Sequence, residues 1–429
     1  MELRQTSEQV SHSPVATSYV VVSDDNPVDR RALAARLKLA ARMGRLKALG
    51  LIAPLFLFLI VTFILPITLL LVRAVDNREI SVALPQTAAV LATWDGEEMP
   101  SDEAYRALAA DLAAVSGATT ADIARRLNFY EPGIRSTIMK TARVVHDTEP
   151  EDAKKVILDA DKDWGEPRIW QTLKVASPTF TGYYILRALD LDRDQQGSLT
   201  VTSEPIYIEV LVRTIGISLG VTSLCLILGY PLAYLLASTN DRTSRLLMMF
   251  VLLPFWTSLL VRTTAWLVLL QGSGVVNSLL QWVGLISTPI ELVHNRIGVF
   301  IAMTHILLPF VVLPVHAVMK GIPDAYMRAA SSLGAAPWRG FVHVYLPLTL
   351  PGVGAGALLV FILSLGYYIT PMLVGGPRDQ MLSSFIAFFV NQSTNWSMAA
   401  ALATILLAVV ALLYIALAIS FGSRRARGA

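Results

Sequence analysis

Charged residues and cysteine are both scarce in this 429-residue chain, and each shortage excludes a class of protein. Only 16% of the residues are charged and 54% are hydrophobic, whereas about 25% are charged in an average soluble protein. The single cysteine, Cys225, lies in an apolar run, so the chain forms no intramolecular disulfide and no cysteine-based metal cluster. The sequence contains no G-x-x-x-x-G-K-S/T phosphate-binding loop. It therefore does not hydrolyse ATP by that chemistry.

The apolar residues are grouped into long runs, and a helix of about 20 apolar residues crosses a bilayer. The runs predict an all-α membrane protein with six transmembrane helices, at 50–74, 208–237, 246–270, 297–319, 348–374 and 397–421. The last five runs form a predicted helical core, residues 208–421. Lys and Arg are concentrated on alternate connections, so the positive-inside rule predicts that both termini are cytoplasmic.

The two tails are basic where they adjoin the membrane. Residues 1–49 form a predicted cytoplasmic tail, whose first 28 residues are polar, aperiodic and expected to be disordered. Residues 29–48 predict a basic amphipathic helix on anionic lipid headgroups, carrying Arg30, Arg31, Arg36, Lys38, Arg42, Arg45 and Lys47. An RNA-binding arm is the alternative, but these charges already orient the first span, so no nucleic-acid partner is expected. Residues 422–429 form a second basic tail.

Residues 75–207 differ from the rest, because they hold most of the Asp and Glu and no apolar run of spanning length. Their apolar spacing predicts a mainly helical domain inserted on the outer face, with helices at 102–115, 119–128, 134–145 and 150–159. The stretch 190–195, DLDRDQ, resembles a calcium loop only superficially. An EF-hand needs glycine at its sixth position and glutamate at its twelfth, where this chain has Gln195 and Val201. An acidic turn is the favoured interpretation.

A polar surface segment, residues 321–347, separates the fourth and fifth apolar runs. Asp324 to Leu333 predicts a short helix of good helix formers. Gly334 is a natural stop, because glycine adopts the left-handed conformation that ends a helix. Pro337 suits the first turn of a second helix, and Pro347 and Pro351 are expected to end it and begin the next span. One interpretation of the segment is an ordinary amphipathic cytoplasmic loop between two spans.

This segment resembles the EAA…G…LP loop of the inner-membrane permease subunits of ABC importers, although Arg328 stands where the family has glutamate. In that family the loop is a coupling helix that docks in a groove of a separate ATPase. The resemblance implies a fold of the type I ABC importer permease kind. It also implies an ATPase-coupling set, namely Asp324, Arg328, Ala329, Ala330, Gly334, Arg339, Leu346 and Pro347.

The resemblance further implies the partners of the chain. These are two ABC ATPase subunits, a second permease subunit that is a homologous different chain or a second copy, a periplasmic solute-binding protein and the lipid bilayer. No cofactor is expected on this chain, since ATP and magnesium belong to the partner ATPase. The chain is thus expected to be a transport subunit rather than an enzyme, in the bacterial inner membrane.

One charged residue, Arg262, lies well inside a predicted span, where burying a charge against lipid is costly. We interpret it as part of a translocation path lined by Trp256, Thr257, Arg262 and Trp266, with Tyr367, Tyr368 and Thr370 on the opposite wall. The alternative is that Arg262 extends toward the membrane surface and that the aromatic residues serve packing or the interface.

Four stretches, 228–237, 252–266, 332–352 and 366–376, resemble the spermidine/putrescine branch of these permeases, which implies polyamine import. However, the spans between Val210 and Phe421 contain no Asp or Glu that could pair with an ammonium group. Import of an amino acid or a small organic anion, which Arg262 would suit, remains an alternative. An ATP-independent secondary carrier is a more distant one, since such carriers usually have intramembrane acids. A membrane enzyme using His305 and His316 lacks a neighbouring acid.

Overall fold

The computed structural model describes residues 27–145, 151–193, 198–202 and 204–426, and within these ranges the chain is overwhelmingly helical. It divides into two compact units, Met1–Ile67 and Thr68–Ala429. The predicted disorder of residues 1–28 falls almost entirely outside the described residues. The chain starts with α1 Pro27–Leu59, a π-helical turn Ile60–Ile64 and α2 Leu65–Val72. The basic segment and the first apolar run therefore share one helix, whereas the sequence predicted a separate surface helix.

The insert is built from eight short helices and one small hairpin. Its elements are α3 Arg78–Ala83, α4 Pro85–Thr93, α5 Asp102–Ala114, α6 Gly117–Leu127, α7 Ile134–Val144, α8 Ala153–Ala160, a 3-10 turn Lys162–Gly165, α9 Pro167–Ala176, α10 Tyr183–Ala188, β1 Leu191–Arg193 and β2 Leu199–Val201. The two strands pair antiparallel, with Leu191 opposite Val201. The predicted mainly helical character of this region is what the structure shows.

The remaining elements form the helical core. They are α11 Tyr207–Ser238, α12 Asp241–Leu252, a 3-10 turn Leu253–Trp256, α13 Leu259–Leu270, α14 Val275–Trp282, α15 Arg296–Lys320, α16 Ala325–Ser332, α17 Pro337–Gly340, a π-helical turn Phe341–Tyr345, α18 Leu346–Leu365, α19 Ile369–Val374, a 3-10 turn Pro377–Asp379, α20 Leu382–Asn391 and α21 Trp396–Ala426.

Six helical segments are long and apolar enough to cross a membrane, which confirms the predicted class of all-α membrane protein. Among the described residues these are Arg42–Val72, Tyr207–Ser238, Leu259–Trp282, Arg296–Lys320, Pro337–Leu365 and Trp396–Ile415. The helices α11, α15 and α18 pack together as the centre of the bundle. A Cβ at Gly356 of α18 would lie 3.1 Å from the Cα of Val311 in α15, so only glycine permits this close approach.

The third predicted span was wrong in its limits. Residues 246–270 are not one helix, because the chain breaks at Leu253–Ser258. Pro254 cannot continue the helical hydrogen bonding of α12, and the Ser258 hydroxyl accepts the N–H of Val261 at 3.2 Å as the N-cap of α13. The apolar segment that follows the break extends to Trp282, into the stretch that the sequence assigned to an outer loop.

The fifth predicted span, 348–374, was also displaced. Its helix starts at Pro337 and ends at Leu365, so Pro347 and Pro351 lie inside continuous helix instead of ending one. The π-helical turn Phe341–Tyr345 directly precedes Pro347 and shifts the backbone hydrogen bonding where proline lacks its N–H. After Leu365 the chain leaves the helical conformation and forms the separate short helix α19.

The insert has its own aromatic core. The rings of Tyr105 and Trp170 pack edge to face with centroids 4.7 Å apart, and Trp164 lies 5.1 Å from Trp170. Trp164 Nε1 donates to the Thr141 hydroxyl at 2.7 Å, and Trp170 Nε1 donates to the Trp164 carbonyl at 3.0 Å. Both buried indole N–H groups are therefore satisfied, which makes this core both apolar and specific.

The insert is joined to the core by packing and by a helix cap. Tyr184 and Ala188 of α10 are buried in one apolar cluster with Met398 and Leu402 of α21. The carboxylate of Asp190, which is 3% exposed, accepts three backbone N–H groups at the start of α11, those of Ile206, Tyr207 and Ile208, at 3.0, 3.0 and 2.7 Å. The acidic stretch at 190–195, of which residues 194–195 lie outside the described ranges, thus provides a helix cap.

Candidate coupling segment and translocation path

The predicted coupling segment folds as two short helices, α16 and α17, joined at a sharp turn. Asp324 precedes α16, and its carbonyl accepts the N–H of Arg328 at 3.0 Å. The side chains of Asp324 and Arg328 form a loose ion pair at 4.0 Å, and both are exposed. The arginine that replaces the family's glutamate is therefore held by an acid one turn earlier, with most of its charge facing outward.

The turn after α16 depends on Gly334, whose φ is +83°. The N–H of Gly334 donates to the Ser331 carbonyl at 3.0 Å, and the N–H of Ala335 donates to the Ala330 carbonyl at 3.0 Å. This pair of bonds is the Schellman motif that ends a helix with glycine in the left-handed conformation. The predicted stop at Gly334 is therefore a structural fact, while its role in coupling stays a prediction.

The two short helices pack through small residues and leave a larger apolar surface exposed. A Cβ on Gly340 would lie 3.2 Å from Met327 Cε and 3.7 Å from Ala330 Cβ, so α17 rests directly on α16. Ala330 is buried in this contact, whereas Ala329 is exposed. The segment also exposes three large apolar side chains that the sequence reasoning did not single out, Tyr326 at 51%, Leu333 at 89% and Trp338 at 61%.

The remaining predicted coupling residues lie on α17 and at the start of α18. The guanidinium of Arg339 lies 5.4 Å from the centre of the Trp338 ring, a cation–π arrangement. The backbone carbonyl of Arg339 is 3.1 Å from Nδ1 of His343. Leu346 and Pro347 begin α18, directly after the π-helical turn. No helix boundary separates α17 from α18, so the segment is continuous with a membrane helix.

The same end of the bundle is fixed by aromatic and polar contacts. Tyr234 of α11 contacts the rings of Phe341 and Tyr345 edge to face, each at 5.6 Å. Nearby, Lys320 Nζ at the end of α15 lies 2.6 Å from Asp241 Oδ1 at the start of α12. The hydrogen bond from Lys320 lowers the pKa of Asp241, so this carboxylate is ionised at neutral pH. These contacts tie the coupling segment to α11 and connect α12 to α15.

On the predicted path, the residues before and after the break between α12 and α13 contact each other. Arg262 Nη2 donates to the Thr257 carbonyl at 2.8 Å, and its Nε lies 3.4 Å from the Thr257 hydroxyl. The guanidinium thus satisfies backbone that the Pro254 break leaves open. Trp256 is 78% exposed. Arg262 is therefore bound within its own helix start, an arrangement that neither sequence interpretation included.

Two further hydrogen bonds bring three helices together at the predicted path. The hydroxyls of Thr263 and Thr370 are 3.1 Å apart and buried, which joins α13 to α19. Trp266 Nε1 donates to Nδ1 of His305 at 3.0 Å, which joins α13 to α15. Thr370 therefore faces α13, and His305 is the acceptor for Trp266. The role of these residues in a translocation path stays a prediction.

A cavity of about 640 Å³ lies at the end of the bundle that carries the insert, and Tyr368 is part of its wall. Its lining is uncharged and rich in aromatic rings. The aromatic and polar side chains of the wall are Tyr207, Tyr368, Gln380, Ser384, Phe385, Phe388, Phe389, Asn391 and Gln392. The Ser384 hydroxyl is buried and has no hydrogen-bond partner among the described residues. Tyr367 lies beside this wall, and its carbonyl accepts the Ser383 hydroxyl at 2.6 Å.

The sequence reasoning missed most of this cavity, because its phenylalanines lie on α20. The apolar stretch Leu382–Asn391 is too short to span a bilayer, so it was assigned to an outer loop. Its signal was the cluster of Phe385, Phe388 and Phe389, spaced as on one helical face. Within the described residues, no group of three or more His, Cys, Asp or Glu side chains could hold a metal ion.

Residues 229–425 match the family model described as "Binding-protein-dependent transport system inner membrane component". The chain is 33% identical over 214 residues to the spermidine/putrescine transport system permease protein PotB of Salmonella typhimurium, strain SL1344, covering 49% of this chain and 75% of that protein. Identity to PotB of Escherichia coli K12 is 33% over 210 residues, covering 49% and 76%. Identity to the molybdenum transport system permease protein ModB of Mycobacterium bovis is 29% over 215 residues, covering 50% and 78%.

Two solved structures are similar at a lower level. One is a bacterial ABC transporter involved in the import of the acidic polysaccharide alginate, with 22% identity, a TM-score of 0.39 and coverage of 51% of this chain and 79% of that one. The other is an alginate ABC transporter in complex with a periplasmic protein bound to an alginate pentasaccharide, with 19% identity, a TM-score of 0.40 and coverage of 50% and 77%.

The chain belongs to the family of inner-membrane components of binding-protein-dependent transport systems. It is a permease subunit of a binding-protein-dependent ABC importer. Within that family it is similar to permeases named for spermidine and putrescine. The insert, residues 75–207, lies outside the residues that the family model matches.

Proposed function

We propose that this permease imports polyamines, and that the observation that carries the proposal is the aromatic, uncharged cavity beside Tyr368. Aromatic faces carry negative potential, so they attract cations and repel anions. A cavity lined by four or five rings binds an ammonium group without a carboxylate, which removes the objection raised by acid-free spans. The names of the PotB relatives support the same class of solute.

Passage of the solute through the permease requires weak binding, because the solute has to leave the site again. A cation over one ring contributes about 0.5–2 kcal/mol, depending on how far it is desolvated. The neutral oxygens of Gln380, Asn391 and Gln392 are acceptors for ammonium N–H groups. The cavity therefore selects by the sign of charge and leaves tight recognition to the solute-binding protein.

The partners follow from membership of the family. The proposed assembly contains two ABC ATPase subunits, which bind ATP and magnesium, a second permease subunit and a periplasmic solute-binding protein. The proposed topology has both termini in the cytoplasm, which puts α16 and α17 on the ATPase side and the insert in the periplasm. ATP-driven closure of the ATPases then displaces α16 and α17, and the spans reorient between two access states.

The assay is ATP hydrolysis by the complex in lipid, assembled with its partner subunits and binding protein. Putrescine, spermidine, amino acids and small anions are added separately. Stimulation by a polyamine is the expected result. Stimulation confined to an anion or an amino acid would keep the importer and overturn the polyamine assignment.

A pair of variants links the solute to the cavity. Phe385→Leu removes one aromatic face at similar volume, and we expect the KM for polyamine uptake to rise about three- to tenfold. Phe300→Leu is the matched control, since Phe300 packs against Gly220 within the bundle and is not part of the cavity wall. An equal effect of both variants would attribute the loss to packing rather than to solute recognition.

A small anion is the second candidate solute, since Arg262 is a cation on the predicted path and ModB is a relative of moderate identity. The structure weakens this candidate, because the guanidinium of Arg262 is bonded to Thr257 and the cavity presents ring faces. An ATP-independent carrier is disfavoured because the spans between Val210 and Phe421 contain no Asp or Glu.

A further inference from the structure

A second cleft, of about 320 Å³, lies between the insert and the first turn of α21. Helices α3 and α6 of the insert form one side of it, and the start of α21 forms the other. Its charged side chains are four arginines and three carboxylates, namely Arg73, Arg78, Arg125, Arg126, Asp76, Glu79 and Asp122. The wall therefore has one positive charge more than it has negative charges, and none of these residues belongs to the proposed solute path.

Each carboxylate of the cleft already has an arginine of its own. Arg78 pairs with Asp76 at 2.7 Å, Arg125 with Asp122 at 2.6 Å and Arg126 with Glu79 at 3.1 Å. The hydrogen bond from Arg78 lowers the pKa of Asp76, so that carboxylate is ionised at neutral pH. This pairing accounts for all three acids and leaves one arginine over.

The remaining arginine is Arg73. In the described part of the chain no carboxylate lies within ion-pair distance of it, and its guanidinium lies 5.9 Å from the centre of the Trp396 ring. Trp396 is the first residue of α21, whose amides in the first turn lack acceptors within the helix. The Asn395 side chain accepts the N–H of Met398 at 3.1 Å, and Trp396 and Ser397 of this first turn line the cleft.

The position of the cleft relative to the membrane indicates its ligand. Arg73 directly follows Val72, the last residue of the first membrane helix, and Trp396 starts the last one. Both residues therefore lie at the level where hydrocarbon gives way to headgroups, a level at which tryptophan is enriched. An uncompensated arginine and a helix N-terminus at this level match the phosphate of a lipid headgroup.

We propose that this cleft binds the phosphate group of a phospholipid headgroup, with Arg73 and the first-turn amides of α21 as its donors. The arginines of α3 and α6 add positive potential on the opposite side. A bound headgroup would then connect the insert to the ends of the first and last membrane helices. The proposed ligand is chemically distinct from the transported solute, so this site does not depend on the polyamine assignment.

The test uses the full chain in detergent, stripped of lipid, with binding followed by native mass spectrometry and by the shift in thermal unfolding. The probes are short-chain phosphatidylglycerol, short-chain phosphatidylethanolamine and inorganic phosphate. We expect Arg73→Gln to weaken binding of both lipids about tenfold or more. The control is Arg168→Gln, which removes an exposed insert arginine that pairs with Glu131 outside the cleft and leaves lipid binding unchanged.

The remaining outcomes decide the source of the ligand. Arg73→Lys keeps the charge and should keep part of the affinity for lipid. This variant also replaces Arg73→Gln in the test if the glutamine variant folds poorly. Inorganic phosphate that binds as well as the lipids would support a phosphate site and overturn the headgroup as its source. Equal losses in Arg73→Gln and Arg168→Gln, or no loss in either, would overturn the site. Loss of affinity for the binding protein with lipid binding intact would overturn it in favour of a protein contact.

Discussion

Gly334 offers the sharpest test of the proposed coupling segment, because its conformation and its surroundings separate backbone effects from contact effects. Its φ of +83° lies in the left-handed region, and a Cβ added there would meet nothing within 4 Å. Any cost of a side chain at this position is therefore conformational. For a residue other than glycine that cost is about 1–2 kcal/mol, and it is greater for a β-branched residue.

We predict that Gly334→Val displaces the turn between α16 and α17 and uncouples the transporter. For valine the penalty is at least about 1–2 kcal/mol, which corresponds to a roughly 5- to 30-fold or greater loss of the native turn, and uptake should fall at least about fivefold. The membrane helices and the insert should be unaffected, because the turn is exposed. The measurement is uptake into proteoliposomes together with ATPase stimulation, with thermal unfolding of the same preparation as the folding control.

Two further substitutions at the same position identify the cause. Gly334→Asn should stay within about twofold of the original, because asparagine tolerates the left-handed conformation. Gly334→Asp shares that tolerance and adds a negative charge at the exposed turn. A loss in the aspartate variant alone would assign the effect to charge. Full uptake by Gly334→Val would refute the reasoning that this turn is needed for coupling.

Three other predictions follow from single contacts. Asp190→Ala should lower the free energy of unfolding by about 1–3 kcal/mol, since it uncovers the start of α11, and Asp190→Asn should lower it less; thermal unfolding measures both. Arg262→Leu should leave the Thr257 carbonyl without its donor and reduce the yield of folded protein in a detergent gel-filtration assay, whereas Arg262→Lys retains a donor. The hydrogen bond from Lys140 lowers the pKa of Asp161, so the stability that this pair contributes is present above about pH 4 and is lost as the pH falls further. Lys140→Met should weaken this dependence of stability on acid pH. The measurement is acid unfolding of the insert, followed by its tryptophan fluorescence.

The sequence predicted correctly those elements whose limits are set by neighbouring residues along the chain. The helices predicted at 102–115 and 134–145 end within one residue of α5 and α7, because amphipathic spacing and punctuating glycine and proline determine such short helices. Gly334 ends α16 for the same reason. These features are set by residues within one or two turns, so the sequence alone was sufficient for them.

Features that depend on tertiary packing were not recoverable in this way. The break at Leu253–Ser258 lies in a run that is apolar on average, so hydropathy could not distinguish a broken helix from a continuous one. The contact between Trp266 and His305 joins residues 39 positions apart, and the cavity requires α20 to lie beside Tyr368. No periodic pattern encodes such contacts, which arise only when the helices pack.

The candidate coupling segment adjoins one end of a long membrane helix, and the cavity wall at Tyr368 lies just beyond the other end. The segment Pro337–Leu365 contains 29 residues of continuous helix, which at 1.5 Å per residue gives a length of about 43 Å. The segment begins with α17, which packs on α16, and it ends at Leu365, two residues before Tyr367. Packed helices shift as rigid bodies rather than deform, so under the proposed function a displacement at the coupling segment is carried along this helix toward the cavity wall. Under the proposed function, this one helix carries the ATPase stroke to the site that holds the solute.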